Sequence, residues 1–556
     1  MAVATQKSIA SLMQKTLDRQ ANVARMKFRF KENQVQNILL TYITNNTGPY
    51  YDLIEILKTY PLSDENFKLL IEDCISCVVL LGRELKLFVS AVCAVEWTDK
   101  SPENIELYSR FLIDLVTAHA YHSPHVMDSL VKLFRADGEN WENTAPEKTV
   151  KQWSNIHNII AQIVAVMPMT SDILMQTIIK QFPYYKAGIC ANRTYIHNLI
   201  WITKYIPSLL EQIIMAIINR MVTMDVNLAE RAKNKSQSDT VFSMDVDEED
   251  VALSDTLDYC MLEVLRWLQD EKDPAWRTMC NVFERVILPT YGIRHVQFLL
   301  LYTISISQQC ADRVLNNLWA VMAGGMHGLG PAALATRRTA ASHLAGLLAR
   351  CVRMPNTRLI HFLRSMAEWC HSYITATQEG TAKSDNTKVH GAFYAVCHAI
   401  FYLVAFKHQQ LFMSKESINF VESLNLPRLV TCSLNPLRSC PSQVTRAFSS
   451  VTRSHQVVYC QAIIEKNARQ TLQADAGEQF DNWFPYDPYT LPRSGKIIWP
   501  LCIEYKDWLK DGDDETQYSS RMRKLESEDD DYLMASPGAK LASSLSNCIS
   551  PGFKSM

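Results

Sequence analysis

Apolar residues recur at three- and four-residue spacing from about residue 32 to 228, the interval that lines one face of an α-helix. One unit is easily traced. Ile156, Ile159, Ile160 and Ile163 lead to Met167-Pro168, and a second apolar stretch follows at Leu174, Met175, Ile178 and Ile179. The pattern returns 39 residues on, counted from Pro168 to Pro207. Tyr195, Asn198, Leu199 and Ile202 lead to Ile206-Pro207, then Ile213, Ile214, Ile217 and Ile218. Upstream, Leu115 and Val116 precede Pro124, with Val126, Leu130 and Val131 after it, and Pro124 lies 44 residues before Pro168. Each proline can stop one helix and open the next, because it lacks an N–H and its φ is pre-set for a first turn.

A helix pair every ~40 residues is the period of HEAT-type solenoids. One such pair cannot bury its apolar face alone, so neighbours stack. The pattern predicts an all-α fold, a HEAT-like helical-repeat solenoid with an acidic internal loop and a disordered acidic C-terminal tail. An irregular helical bundle is the alternative. The expected segments are a basic, helical lead-in (1–31), N-terminal repeats (32–228) and an acidic loop (229–256). C-terminal repeats (257–467), an aromatic-proline strap with a short helix (468–510) and an acidic, Ser-rich tail (511–556) follow. The loop and tail are polar, acidic and poor in large apolar residues, the composition of chain that cannot bury a core.

Length and composition narrow the function. The 556 residues exceed what one core usually supports. With 17 glycines, Gly-rich turns and phosphate-cradling loops are disfavoured. A net charge of −2 argues against nucleic-acid binding across the whole surface. The first residues lack a signal-peptide core, and no run is expected to reach the ~18 apolar residues of a membrane span. An intracellular chain, with no membrane partner, is the reading. The 15 cysteines are then mostly buried thiols, and the sequons at Asn45, Asn192 and Asn234 are chance matches.

A search for chemistry finds none. Cys74 and Cys77 have metal-knuckle spacing, with Cys93 nearby, but they lie inside a helical run without a fourth ligand, so core thiols are expected. His119, His122 and His125 are broken by Pro124 and read as a solvated helix end. The Gly-rich stretch 322–331 lacks a Lys-Ser/Thr ending and a preceding strand, so it reads as a helix–helix connector. Basic stretches at 25–31 and 336–338 can grip phosphates or be solvated helix edges, the latter being favoured. A helix expected at 391–412 is aromatic on nearly every side, the mark of burial. No nucleophile elbow, zincin helix or kinase motif set occurs. The expectation is no enzyme, no cofactor and no metal.

Five sequence blocks carry a resemblance: 390–412 (HGAFYAVCHAIFYLVAFKHQQLF), LNPLRSC (434–440), VVYCQAIIEKN (457–467), FPYDPYTLPRS (484–494) and LPTYGIRHVQFLLLY (288–302). With MKFRFKENQVQNILLTYI (26–43), they resemble the RNA polymerase I-specific transcription initiation factors, the transcription initiation factor IA type. The resemblance runs from about 26 to 510. It implies an all-helical, HEAT-repeat-like fold and no catalysis. It implies binding to RNA polymerase I and bridging to the promoter-bound core factor, a TBP-containing selectivity complex or equivalent, on ribosomal DNA. It also implies a nuclear, nucleolar phosphoprotein acted on by kinases and phosphatases. A homodimer through a repeat face is a further reading, and direct DNA contact is left open. The competing class is another helical-repeat scaffold or a transport adaptor, against which the ordered blocks argue.

Phosphate would tune such a contact surface by adding about −1.5 to −2 charge. Candidate sites are Ser243 and Ser254 among acids, Ser527 before a run of acids, and Ser536 and Ser550 before prolines. The strap's candidate contact residues are Trp483, Phe484, Pro485, Tyr486, Asp487 and Pro488. Proline pushes its preceding residue toward extended forms, so this stretch is stiff and non-helical. Its aromatics, Tyr489 included, can each bury roughly 150–250 Å². Two readings follow: a strap packed on the last helices, which is favoured, or an exposed recognition element for the promoter factor.

Overall fold

The computed structural model describes residues 30–505, apart from 32, 44–47, 136–140, 142–144, 238–247, 325–330, 380–386, 472–484 and 487. Every named element among them is helical, and extended pairing is confined to one bridge between Cys351 and Cys502. The all-α, repeat-like fold expected from the periodicity is present. The chain forms two compact units, Met1–Ala216 and Ile217–Met556.

The first unit holds α1 (Gln34–Ile43), α2 (Gly48–Thr59), α3 (Asp64–Ser76), α4 (Lys86–Cys93), α5 (Pro102–Ala118) and α6 (Ser123–Lys132). It continues with α7 (Glu147–Val166), α8 (Thr170–Gln181) and α9 (Ile189–Tyr205). Local chemistry sets the boundaries. Ser63 caps α3 by accepting a hydrogen bond from the Asn66 amide, with Asp64 and Glu65 in the first turn, where the helix dipole favours acids. Pro102 opens α5, and Pro124 lies in the first turn of α6. The ~40-residue period is visible in hydrogen bonds between helices. The Asn33 amide donates to Asp73, and the Asn104 side chain donates to the Asp64 carbonyl, each across 40 residues. His157 Nε2 meets Asn198 Oδ1 across 41 residues.

The traced apolar residues of this unit are buried, with half-buried Met167 and Ile179 (59% exposed) the exceptions. Cys74, Cys77 and Cys93 are core thiols. Burial pushes Cys77 up to about 11 and Cys93 to about 12. The histidine run is not a solvated helix end. His122 is fully buried, with Nε2 2.8 Å from the Leu81 carbonyl, and His119 Nε2 lies 2.9 Å from the Val78 carbonyl. The carbonyls at the end of the preceding pair want donors, and these rings supply them.

The second unit follows a long helix, α10 (Leu210–Gln237), within which the division of the chain falls. Next come α11 (Glu248–Glu271), α12 (Asp273–Val282), α13 (Phe298–Ile306), α14 (Gln308–Ala323), α15 (Pro331–Arg350), α16 (Asn356–Glu379) and α17 (Thr387–Phe406). The short α18 (His408–Leu411), α19 (Lys415–Ser423), α20 (Leu426–Thr431) and α21 (Pro436–Ser439) precede α22 (Ser442–Ser454), α23 (Gln461–Thr471) and α24 (Pro492–Ile498). The expected loop at 229–256 is largely helical. α10 runs through Ala229 and α11 starts at Glu248, with Arg231 Nη1 2.7 Å from Asp250 Oδ1 joining the two. Residues 238–247 lie outside the described ones.

Helix α17 is the centre of this unit, packed by α15, α16 and α22. Its 18-residue window Val389–Phe406 has a mean hydropathy of 1.6, long and apolar enough for a membrane span, contrary to the expectation that no run reaches that length. That window is 94% buried within the fold. The aromatic helix ends at Phe406 rather than 412, where Lys407 turns the chain into α18 and His408 Nδ1 closes on the Ala405 carbonyl at 2.9 Å. The Gly-rich connector falls between α14 and α15.

Candidate partner-contact strap

The segment from Pro485 to Tyr505 crosses the second unit, and its anchors are two aspartates inside helices. Asp258 of α11 is fully buried. Its carboxylate accepts from the backbone amides of Arg493 at 2.7 Å and Ser494 at 2.8 Å, and from the Ser494 hydroxyl. These amides open α24, so Asp258 caps a helix it does not belong to, supplying acceptors for donors that a helix start leaves orphaned. Arg493 adds a 2.7 Å bond to Asp255, which raises its pKa, and stacks 4.4 Å above the Tyr259 ring.

Asp225 of α10, also fully buried, acts likewise on the turn before α13. It accepts from the amides of Arg294, His295 and Val296 at 3.1, 2.7 and 2.9 Å. Its other oxygen is 2.9 Å from His295 Nδ1, and His295 Nε2 meets Thr490 Oγ1 at 2.8 Å. The blocks at 288–302 and 484–494, both part of the resemblance, thus touch each other.

The aromatics fill the space between these anchors. Tyr486 (2% exposed) lies edge-to-face with Phe298 at 5.3 Å and His343 at 5.6 Å, its hydroxyl 3.2 Å from His343 Nδ1. Tyr489 packs on Phe298 at 4.7 Å and on His295 at 5.6 Å, with its hydroxyl 2.7 Å from Ser494 Oγ. Burial raises both phenols, so each keeps its proton. Gly346 makes room for the strap. A Cβ there would stand 2.7 Å from both the Pro485 carbonyl oxygen and Tyr486 Cδ2. Tyr486 has φ 76°, a left-handed backbone that costs a bulky residue ~1–3 kcal/mol and persists only where packing over-determines it. Further on, the Ile503 amide donates to the Arg350 carbonyl at 2.7 Å, and Tyr505 packs on Phe406 at 5.5 Å.

Of the strap candidates, Pro485 and Tyr486 are buried and Pro488 is half-buried, while Trp483, Phe484 and Asp487 lie outside the described residues. Burial of Tyr486 and Tyr489 favours the packed strap over an exposed recognition element. Ser254, expected in a loop, sits half-buried on α11 one turn before Asp258. Ser243, Ser527, Ser536 and Ser550 lie outside the described residues. Asp225, Asp258, His295 and Ser494 are absent from the expected set. Their signal is an acid at a core position: Asp225 follows buried Met221, Val222 and Met224, and Asp258 is flanked by buried Leu257 and Tyr259.

These groups hold helices together. Among the described residues no cluster of three or more His, Cys, Asp or Glu is placed to hold a metal ion. Fold and clasp together define an all-helical, repeat-like protein built around packing. Comparison with known proteins makes the class particular: residues 25–273 and 251–509 match the family described as RNA polymerase I specific transcription initiation factor RRN3. The chain belongs to that family, whose members are transcription initiation factors and not enzymes.

The chain is 27% identical over 571 residues to the mouse RNA polymerase I-specific transcription initiation factor RRN3, covering 90% of this chain and 84% of the mouse protein. It is 24% identical to the Schizosaccharomyces pombe factor of the same name, covering 80% of this chain and 79% of that protein. A crystal structure of RNA polymerase I transcription initiation factor Rrn3 superposes with a TM-score of 0.69 at 19% identity, covering 84% of this chain and 97% of that one. That likeness carries the fold.

Proposed function

We propose that this chain binds RNA polymerase I and bridges it to the promoter-bound core factor, a TBP-containing selectivity complex or equivalent, to start ribosomal RNA gene transcription. The observation that carries this reading is family membership across residues 25–509, supported by relatives named as RNA polymerase I-specific initiation factors. A repeat-like helical fold suits the task, because it offers long surfaces without a catalytic cleft. Two moderate contacts on one chain reinforce each other through effective concentration and still release after initiation. The site of action is the nucleus and, within it, the nucleolus.

Phosphorylation is the proposed control, with Ser243, Ser254, Ser527, Ser536 and Ser550 as candidates. Ser254 differs in kind, because a phosphate there would stand beside Asp255 and one turn from buried Asp258, a like-charge conflict that loosens the clasp. Self-association through a repeat face would compete with polymerase binding wherever the surfaces overlap.

Affinity capture from nuclear extract tests the reading. The purified chain, with and without phosphatase treatment, is probed for the three nuclear RNA polymerases. Selective, phosphate-dependent capture of polymerase I is the expected result. Capture of none, or of all three equally, would move the transport-adaptor reading to first place.

A further inference from the structure

The last described helices are lopsided in charge. Arg438 on α21, Arg446 and Arg453 on α22, and Lys466 and Arg469 on α23 are all exposed. Glu465 is the sole acid between Pro436 and Thr471, so five cations against one anion leave this stretch at +4. Arg446 and Arg453 are seven residues apart, two helical turns, and share one face of α22.

Tyr505, the last described residue, packs on Phe406 at the end of α17. Helix α22 packs on that helix through Phe448, 4.5 Å from Phe401, and His455 at its C-terminal end stacks at 4.2 Å on Phe412, which follows α18. The C-terminal end of α22, with Arg453, therefore lies against the chain just after α17, six residues past Phe406.

The chain beyond Tyr505 turns acidic. Residues 511–531 hold nine acids (Asp511, Asp513, Asp514, Glu515, Glu526, Glu528, Asp529, Asp530 and Asp531) and three bases (Arg521, Arg523 and Lys524), a balance of −6. Asp511 is six residues beyond Tyr505 and Glu526 twenty-one. At up to ~3.3–3.6 Å per residue these span at most roughly 20 and 70 Å. We propose that the acidic segment 511–531 docks on the basic face of α21–α23 of its own chain and covers it. Ser527 lies inside the second acidic block, so a phosphate there adds about −1.5 to −2 charge and tightens the contact.

Zero-length carbodiimide crosslinking of the full chain tests this, using an equal mixture of ¹⁵N-labelled and unlabelled protein. Lys466 should join carboxylates of 511–531 in isotopically pure pairs. Yield should fall at least about fivefold in 1 M salt, where the screening length is about 3 Å, and likewise in Arg446→Glu/Arg453→Glu. Isotopically mixed pairs would make a second copy the occupant and overturn the proposal. So would equal yield to the exposed lysines of the first unit, Lys68 and Lys148, or a Lys466 yield that ignores the charge reversal. Should the reversed variant fail to fold, the salt titration of the unaltered chain decides alone.

Discussion

Truncating one ring separates a packed strap from a recognition element. Tyr486 is 2% exposed, wedged between Phe298, His343 and Gly346. Removing a buried aromatic ring to Ala costs ~3–5 kcal/mol, transfer and cavity combined. Alanine keeps a Cβ at φ 76°, so backbone strain is not relieved to offset the loss. Tyr486→Phe removes only the 3.2 Å contact to His343, a loss of ~1 kcal/mol for a neutral hydrogen bond. Gly346→Ala attacks the same contact from α15, because the new methyl meets Pro485 and Tyr486 at 2.7 Å. Native-state hydrogen exchange of α11, α13 and α15 reports on the second unit alone. At ~1.4 kcal/mol per tenfold, the 3–5 kcal/mol loss raises exchange in these helices by roughly 10²-fold or more for Tyr486→Ala, and by about fivefold for Tyr486→Phe. Unchanged exchange in Tyr486→Ala, with weakened binding to the polymerase or promoter factor, would refute the packing argument and make the segment a recognition element.

Three other perturbations probe the buried aspartate, the buried histidines and the thiols. Asp225→Ala leaves three backbone amides and the His295 ring without their acceptor and should lower stability by ~2–4 kcal/mol; a urea midpoint that does not move contradicts this. Burial holds His343 and His398 down to about 3, against ~6.5 unfolded. The unfolded chain therefore takes up protons first, and stability falls as pH drops below the unfolded value. His157 is likewise held down to about 4 by burial; the loss is ~2 kcal/mol per histidine at pH 5, so the urea midpoint should fall between pH 7 and pH 5, and His398→Gln should remove about a third of that fall if the variant keeps its pH 7 structure. In native protein, iodoacetamide should label partly exposed Cys190, Cys432 and Cys502 well before buried Cys74, Cys93 and Cys440; mass spectrometry of labelling order checks this, and equal rates would mean the cores open.

The fold was legible because repeat helices are local objects. Residues such as Ile156, Ile160 and Ile163, buried to 1% exposure or less, and the prolines at 124, 168 and 207 mark both face and boundary without reference to distant chain. The clasp was only half legible. Aromatic content and proline placed a stiff, burial-seeking segment at 483–489, but its anchors are long-range: Arg493 to Asp258 spans 235 residues and His295 to Thr490 spans 195. No local rule connects such positions. Asp225 and Asp258 interrupt apolar helical faces, and an acid at a core position marks a capping role better than a solvated one. His122 misled for the opposite reason. Histidines near a proline look like a polar helix end until the carbonyls of the preceding repeat, Leu81 and Gly82, come into range. The acidic segment 229–256 misled through composition, since its described ends continue α10 and α11 and pair Arg231 with Asp250.

We propose that this chain makes RNA polymerase I competent to initiate. The most direct test is promoter-dependent transcription in a nuclear extract immunodepleted of its own initiation factor of this family, to which the purified chain is returned. The expected result is restored, dose-dependent initiation from a ribosomal DNA promoter, with no effect on templates read by the other two nuclear polymerases. Ribosomal transcripts that stay absent after the folded chain is added back, or equal stimulation of all three templates, would contradict it.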